Sequence, residues 1–138
     1  MQVKLAAIIL CLLIQTSYLA LAQDVDLTGT WESKYQFGPI EEVMTAKVQQ
    51  VGVNLLGSFS VKPNTGSEYS GIIFGRVEGD KVSANYLSVR NMGNTDPQIV
   101  ITFTDGRIIN SNTLRGTYYV QDSDMNAISG PYEAHRKQ

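Results

Sequence analysis

The sequence predicts an all-β chain that closes into an eight-stranded antiparallel up-and-down meander barrel. Three observations lead there. After Gln23 no segment carries a sustained helical repeat, short runs of period-two alternation follow one another, and turn residues bound each run. Consecutive strands on short connections close most economically by pairing the first with the last, which leaves no open edge. A two-sheet sandwich is the competing architecture, because strand number alone does not require closure.

The first strand spans Thr28 to Phe37, with Trp31, Ser33, Tyr35 and Phe37 on one face, and Gly38-Pro39 ends it because proline cannot donate to a ladder. Val43 to Gln50 follows, with Met44, Ala46 and Val48 on the apolar face. A tight turn near Val51-Gly52 leads to a third strand that aims Val53, Leu55, Gly57, Phe59 and Val61 inward. Lys62 to Glu68, containing Pro63-Asn64 and Gly66, reads as a loop. In the fourth strand, Tyr69 to Val77, the run Ile72-Ile73-Phe74 leaves the facing ambiguous. Glu78-Gly79-Asp80 is a hairpin connection to the fifth, Lys81 to Val89, with Val82, Ala84 and Tyr86 inward. Beyond a polar loop, Asn91 to Pro97, the sixth strand aims Ile99, Ile101 and Phe103 inward, and Asp105-Gly106 is expected to turn the chain. The segment from Arg107 to Asn112 reads as an extension of that hairpin or an irregular crossing. Leu114, Gly116, Tyr118 and Val120 define the seventh strand, and Ile128, Gly130, Tyr132, Ala134 and Arg136 the inward face of the eighth. Glycines recurring within the strands, such as Gly57 and Gly116, suit strands that bend sharply around a narrow interior.

The chain has 138 residues, 13 acidic against 11 basic side chains and a single cysteine. That balance lacks the Lys/Arg excess needed to neutralise phosphates, so no nucleic-acid partner is expected. Residues 1–22 read as a signal peptide: Lys4 is the positive n-region, Leu5 to Ile14 the apolar h-region, and Ala20-Leu21-Ala22 the cleavage site before Gln23. The apolar run is half the roughly 20 residues a spanning helix needs, so no membrane span is expected in the mature chain; a retained anchor is the alternative. Cleavage removes Lys4 and Cys11, leaving residues 23–138 as one secreted or periplasmic domain without cysteine.

Leu27-Thr28-Gly29-Thr30-Trp31 resembles the opening of the calycin barrels, the avidins and lipocalins. The resemblance implies that Trp31 plugs one barrel end, with Arg136 of the last strand packed across its ring. Leu56-Gly57-Ser58-Phe59-Ser60 is similar to the third-strand motif of avidins, Gly-x-Tyr-x, except that Phe59 stands in place of the tyrosine. The resemblance leaves Ser33 able to take the position of a ligand-contacting polar residue on the first strand, but Trp31 is the only tryptophan, where biotin sites have several. Biotin binding is therefore not expected, while binding of a small apolar ligand in lipocalin fashion stays open.

His135, the sole histidine, falls on the outward parity, so neither a catalytic triad nor haem ligation is expected of it. Glu41-Glu42 reads as a solvated loop pair. Asp122-Ser123-Asp124-Met125-Asn126, with Glu133 at the twelfth position, has the oxygen spacing of a calcium loop, but Ala127 stands where the sharp turn needs glycine, and a polar β-turn is the expectation. No metal and no cofactor is implied. Inward Tyr35, Tyr86, Tyr118 and Tyr132 are the informative set, since a buried tyrosine needs a partner for its hydroxyl: either they converge on a small polar or aromatic ligand at one mouth, or they cap the core with their hydroxyls in water. The leading functional reading is a non-enzymatic barrel that takes a small-molecule ligand at its mouth through Ser33, Tyr35, Tyr86 and Tyr118. The alternative is an extracytoplasmic interaction or inhibitor domain with a filled barrel, acting through Lys62–Glu68 and Asn91–Pro97. An enzyme is the least favoured class. No oligomeric state is specified by the pattern.

Overall fold

A computed structural model describes residues 25–90, 97–121 and 127–138. The signal segment, most of the Asn91–Pro97 loop and the calcium-like Asp122–Asn126 segment lie outside the described residues. Eight strands follow in chain order: β1 (Gly29–Phe37), β2 (Ile40–Val51), β3 (Asn54–Pro63), β4 (Tyr69–Glu78), β5 (Lys81–Arg90), β6 (Gln98–Asn110), β7 (Thr113–Gln121) and β8 (Ala127–Arg136). Each pairs antiparallel with the next, and β1 pairs with β8 through Trp31↔Arg136 to Lys34↔Glu133, so the sheet is a closed barrel and not a sandwich.

Period-two alternation builds the interior from the predicted faces of β1, β2, β3, β5, β7 and β8, except that Ile128 at the start of β8 is exposed. The larger core cluster gathers Leu27, Trp31, Ala46, Leu55, Phe59, Val61, Ile73 and Val82 and reaches the upper end at Val61, which pairs with Tyr69, while Val100, Tyr118 and Val120 form a smaller upper cluster with Tyr35 and Phe37. Turns at Gly52-Val53 and Gly79-Asp80 lie at the lower end, and Gly38-Pro39 at the upper. In β4 the ambiguity resolves with Ile73 buried and Ile72 and Phe74 exposed.

Four expectations are corrected. Strand β6 faces the other way: Val100 and Thr104 are buried, while Ile99, Ile101 and Phe103 are 59%, 45% and 40% exposed. Register with β5 decides this, because Thr104 pairs with inward Ala84 and Phe103 with outward-side Asn85. Asp105-Gly106 does not turn the chain. Gly106 sits mid-ladder between Val82 and Gly116, where its missing side chain leaves room for the Tyr132 ring, and β6 continues to a turn at Ser111-Asn112. Val53 is not inward but exposed in a two-residue turn, where its carbonyl accepts the Val77 N–H. Finally, β2 begins at Ile40, directly after Gly38-Pro39. Gly38 takes φ +60°, a left-handed conformation open to glycine, and the short turn pairs Phe37 with Ile40. Glu41 and Glu42 therefore stand in a strand, and Glu42 is only 3% exposed.

Candidate functional site at the upper barrel mouth

The two ends of the barrel are built differently. At the lower end the Arg136 guanidinium carbon lies 4.6 Å from the centroid of the Trp31 ring, a cation–π contact. Arg136 Nε, Nη1 and Nη2 donate to the carbonyls of Ser111 (3.0 Å), Thr28 (2.5 Å) and Asp26 (2.7 Å), and Trp31 Nε1 donates to Leu27 O at 2.9 Å. Gly29 makes the stack possible, since at φ +145° a Cβ there would sit 2.7 Å from Arg136 Nη1. Every donor group named here has an acceptor.

Above this floor an interior cavity of about 80 Å³ rises past Ala84 and Tyr86 to the upper end. A cavity of that size holds on the order of five waters or a ligand of a few heavy atoms. At the top, β2, β4 and β5 deliver Glu42, Tyr69 and Arg90. Tyr69 Oη donates to Glu42 Oε2 at 2.8 Å, and the Arg90 guanidinium carbon lies 3.6 Å from the centroid of the Tyr69 ring. Tyr35 lines the same end of the cavity, near enough to Glu42 and Tyr69 to feel their charges. Among the described residues nothing accepts from Arg90 Nε, which is buried. Such a donor costs about 1–3 kcal/mol when it stays unpaired.

Electrostatics keep these phenols protonated. Burial raises Tyr35 well above the ordinary range, and the charges of Tyr69 and Glu42 push the same way. Tyr69 is also raised, by burial first, with Arg90 opposing. Both remain hydrogen-bond donors in neutral solution.

The residues expected to bind ligand are partly brought together. Tyr35 and Tyr118 meet at the mouth with ring centroids 5.4 Å apart, and Tyr118 Oη donates to Gln36 O. Tyr86 lies deeper, edge-on to Phe59 at 5.4 Å, and burial raises its phenol as well. Ser33 borders the cavity, but its hydroxyl is committed to the Glu133 carbonyl at 2.6 Å. His135 is outward, with Nε2 2.9 Å from Glu133 Oε1, and Glu133 also pairs with Arg115. Glu42, Tyr69 and Arg90 were not anticipated from sequence. Inward parity reaches two of them: stepping back from Met44 lands on Glu42, and stepping on from Tyr86 through Ser88 lands on Arg90.

Outside the barrel a shallow groove runs along the β3–β4 connection, past Pro63, Thr65, Ser67 and Glu68. Glu42, Tyr69 and Arg90 line both the groove and the cavity, so they stand where the interior meets the surface. Among the described residues no group of three or more His, Cys, Asp or Glu side chains could hold a metal ion, and no helix is long and apolar enough to cross a membrane. The chain matches no family model and no curated protein.

Proposed function

We propose that the protein is a secreted, non-enzymatic barrel of calycin type that binds a small, neutral ligand through its upper mouth. The observation that carries this reading is the sharing of Glu42, Tyr69 and Arg90 between the cavity and the surface groove. A ligand passing from groove to cavity meets one cation and one anion, each with hydrogen-bonding capacity to spare. Arg90 Nε asks for an acceptor, and the Glu42 carboxylate accepts further donors. A head group bearing both, such as an amide or lactam, satisfies the pair without adding charge, while its apolar body occupies the cavity. A carboxylate would gain Arg90 but face Glu42 at short range. The Trp31–Arg136 stack and the closed meander support the calycin kinship. The cavity favours this reading over a filled barrel acting through its loops.

The test is a titration with δ-valerolactam followed by amide NMR shifts. The expected result is saturable shifts centred on Tyr35, Glu42, Tyr69 and Arg90, lost when Ala84→Phe fills the cavity. Saturable shifts that survive Ala84→Phe, or none at all, would overturn it.

A further inference from the structure

The ring of a lactam lies directly behind its amide edge, so the side chains next to Glu42 and Arg90 decide what kind of ring fits. Tyrosines dominate there: Tyr35, Tyr69, Tyr86 and Tyr118 all line the cavity. In a closed ring of eight strands, members four apart face each other across the lumen, so Tyr35 of β1 stands opposite Tyr86 of β5. Tyr118 packs beside Tyr35, with ring centroids 5.4 Å apart and planes inclined by 52°. On the facing wall Phe59 is edge-on to both Tyr69 and Tyr86, at 6.5 Å and 5.4 Å.

Three details decide how these rings can be used. At the mouth Tyr69 Oη donates to Glu42 and Tyr118 Oη to the Gln36 carbonyl, so a ligand body there meets ring surface and not free phenol donors. Phe59 and Tyr118 are themselves buried, so the rings they hold have little side-chain freedom left to lose when a ligand enters. The aliphatic lining is elsewhere: Leu55 follows the lower turn at Gly52-Val53, and Val82 stands at the opposite end of β5 from Arg90.

We infer that the ligand of the upper mouth is a planar, unsaturated lactam, with its amide edge on Glu42 and Arg90 and its ring between the Tyr35–Tyr118 pair and the Tyr69–Tyr86 wall. The inference rests on the mouth-binding reading and adds the nature of the ring. An aromatic ring meets aromatic neighbours edge to face or offset, and such pairs contribute beyond the area they bury, whereas a saturated ring gains the area alone. A flat ring also keeps its N–H, its C=O and its body in one plane. Arg90 lies 3.6 Å from the centroid of the Tyr69 ring, so an oxygen paired with its Nε is drawn to that wall. Tyr35, Tyr86 and Tyr118 are then the residues that choose among lactams.

A matched pair of probes tests this on the whole protein. 2-Pyridone and δ-valerolactam share ring size and amide edge, and differ in whether the ring is flat and conjugated. Dissociation constants for both come from amide NMR titrations. The expected result is that 2-pyridone binds about tenfold more tightly, with its ring protons shifted upfield by the facing tyrosines. Tyr35→Leu should lower the ratio of the two affinities by about threefold or more. If that variant does not fold, Tyr86→Leu repeats the measurement on the facing wall. Equal affinities in the unaltered protein would overturn the inference and leave the amide-head reading standing. A preference undiminished in either folded variant would overturn it too, since it would then come from the more acidic pyridone N–H at Glu42. If neither lactam binds, the mouth-binding reading fails and the ring assignment with it.

Discussion

Two arginines, one at each end of the barrel, stack on an aromatic ring and differ in almost everything else. Arg136 covers Trp31 at the lower end and spends its N–H groups on three backbone carbonyls. Arg90 covers Tyr69 at the upper end, and among the described residues nothing accepts from its buried Nε. The first arrangement is complete and therefore structural. The second holds an unmet donor beside a buried carboxylate, a local cost that a ligand would remove.

That contrast can be broken at four points. The largest effect belongs to the lower end. Trp31→Ala should destabilise the fold by about 3–5 kcal/mol, because a ring only 4% exposed leaves a void and frees the arginine above it. A denaturant titration showing less than about 1 kcal/mol would mean that the stack does not close the barrel. Arg136→Met, which keeps the length but loses three donors, should cost about 2–4 kcal/mol, since bonds to a charged donor contribute about 1.5–3 kcal/mol each and are not additive.

The buried phenols supply the third. Tyr35 and Tyr86 have folded pKa values raised above the unfolded value, so their contribution is fully present below pH 10 and is lost as pH rises beyond it. Stability should fall by about 1.4 kcal/mol per pH unit for each phenol above pH 10. Urea midpoints that stay flat between pH 10 and 11 would show that both rings are solvated. The smallest effect is the sharpest discriminator: Arg90→Met should change stability by less than about 1 kcal/mol, or raise it, because the buried unpaired Nε disappears. A loss comparable to Arg136→Met would erase the distinction between the two ends.

Where the sequence was hard to read also has a physical cause. Alternation marks the buried face only when the other face is polar. It therefore worked for β1, β2, β5 and β7, for β3 beyond Val53, and for β8 beyond the exposed Ile128. It failed at Ile72-Ile73-Phe74 and inverted β6, where Thr102, Thr104 and Gly106 line the interior while Ile99, Ile101 and Phe103 point outward. Both strands carry apolar side chains outward, so a second apolar surface hid the first. Asp105-Gly106 imitated a turn because Tyr132 needs a glycine beneath it.

The candidate site was legible in halves. Tyr35, Tyr86 and Tyr118 follow from parity, and so would Glu42 and Arg90 had the strands been carried one step further. Tyr69 sits at the start of the one strand whose facing was ambiguous.

By itself, the sequence determined the all-β class, the order of eight strands and the inward parity of most of them, because these depend on local alternation and turn chemistry. Closure, register and the pairing of distant ends were decided only in three dimensions. β1 meets β8 across a hundred residues, Ser33 donating to Glu133. Glu42, Tyr69 and Arg90 come from three strands, so only the ladder's stagger could set them around one opening. Outward apolar side chains of β4, β5 and β6 became visible as neighbours only once the ladder set Ile72 beside Leu87 and Ile101.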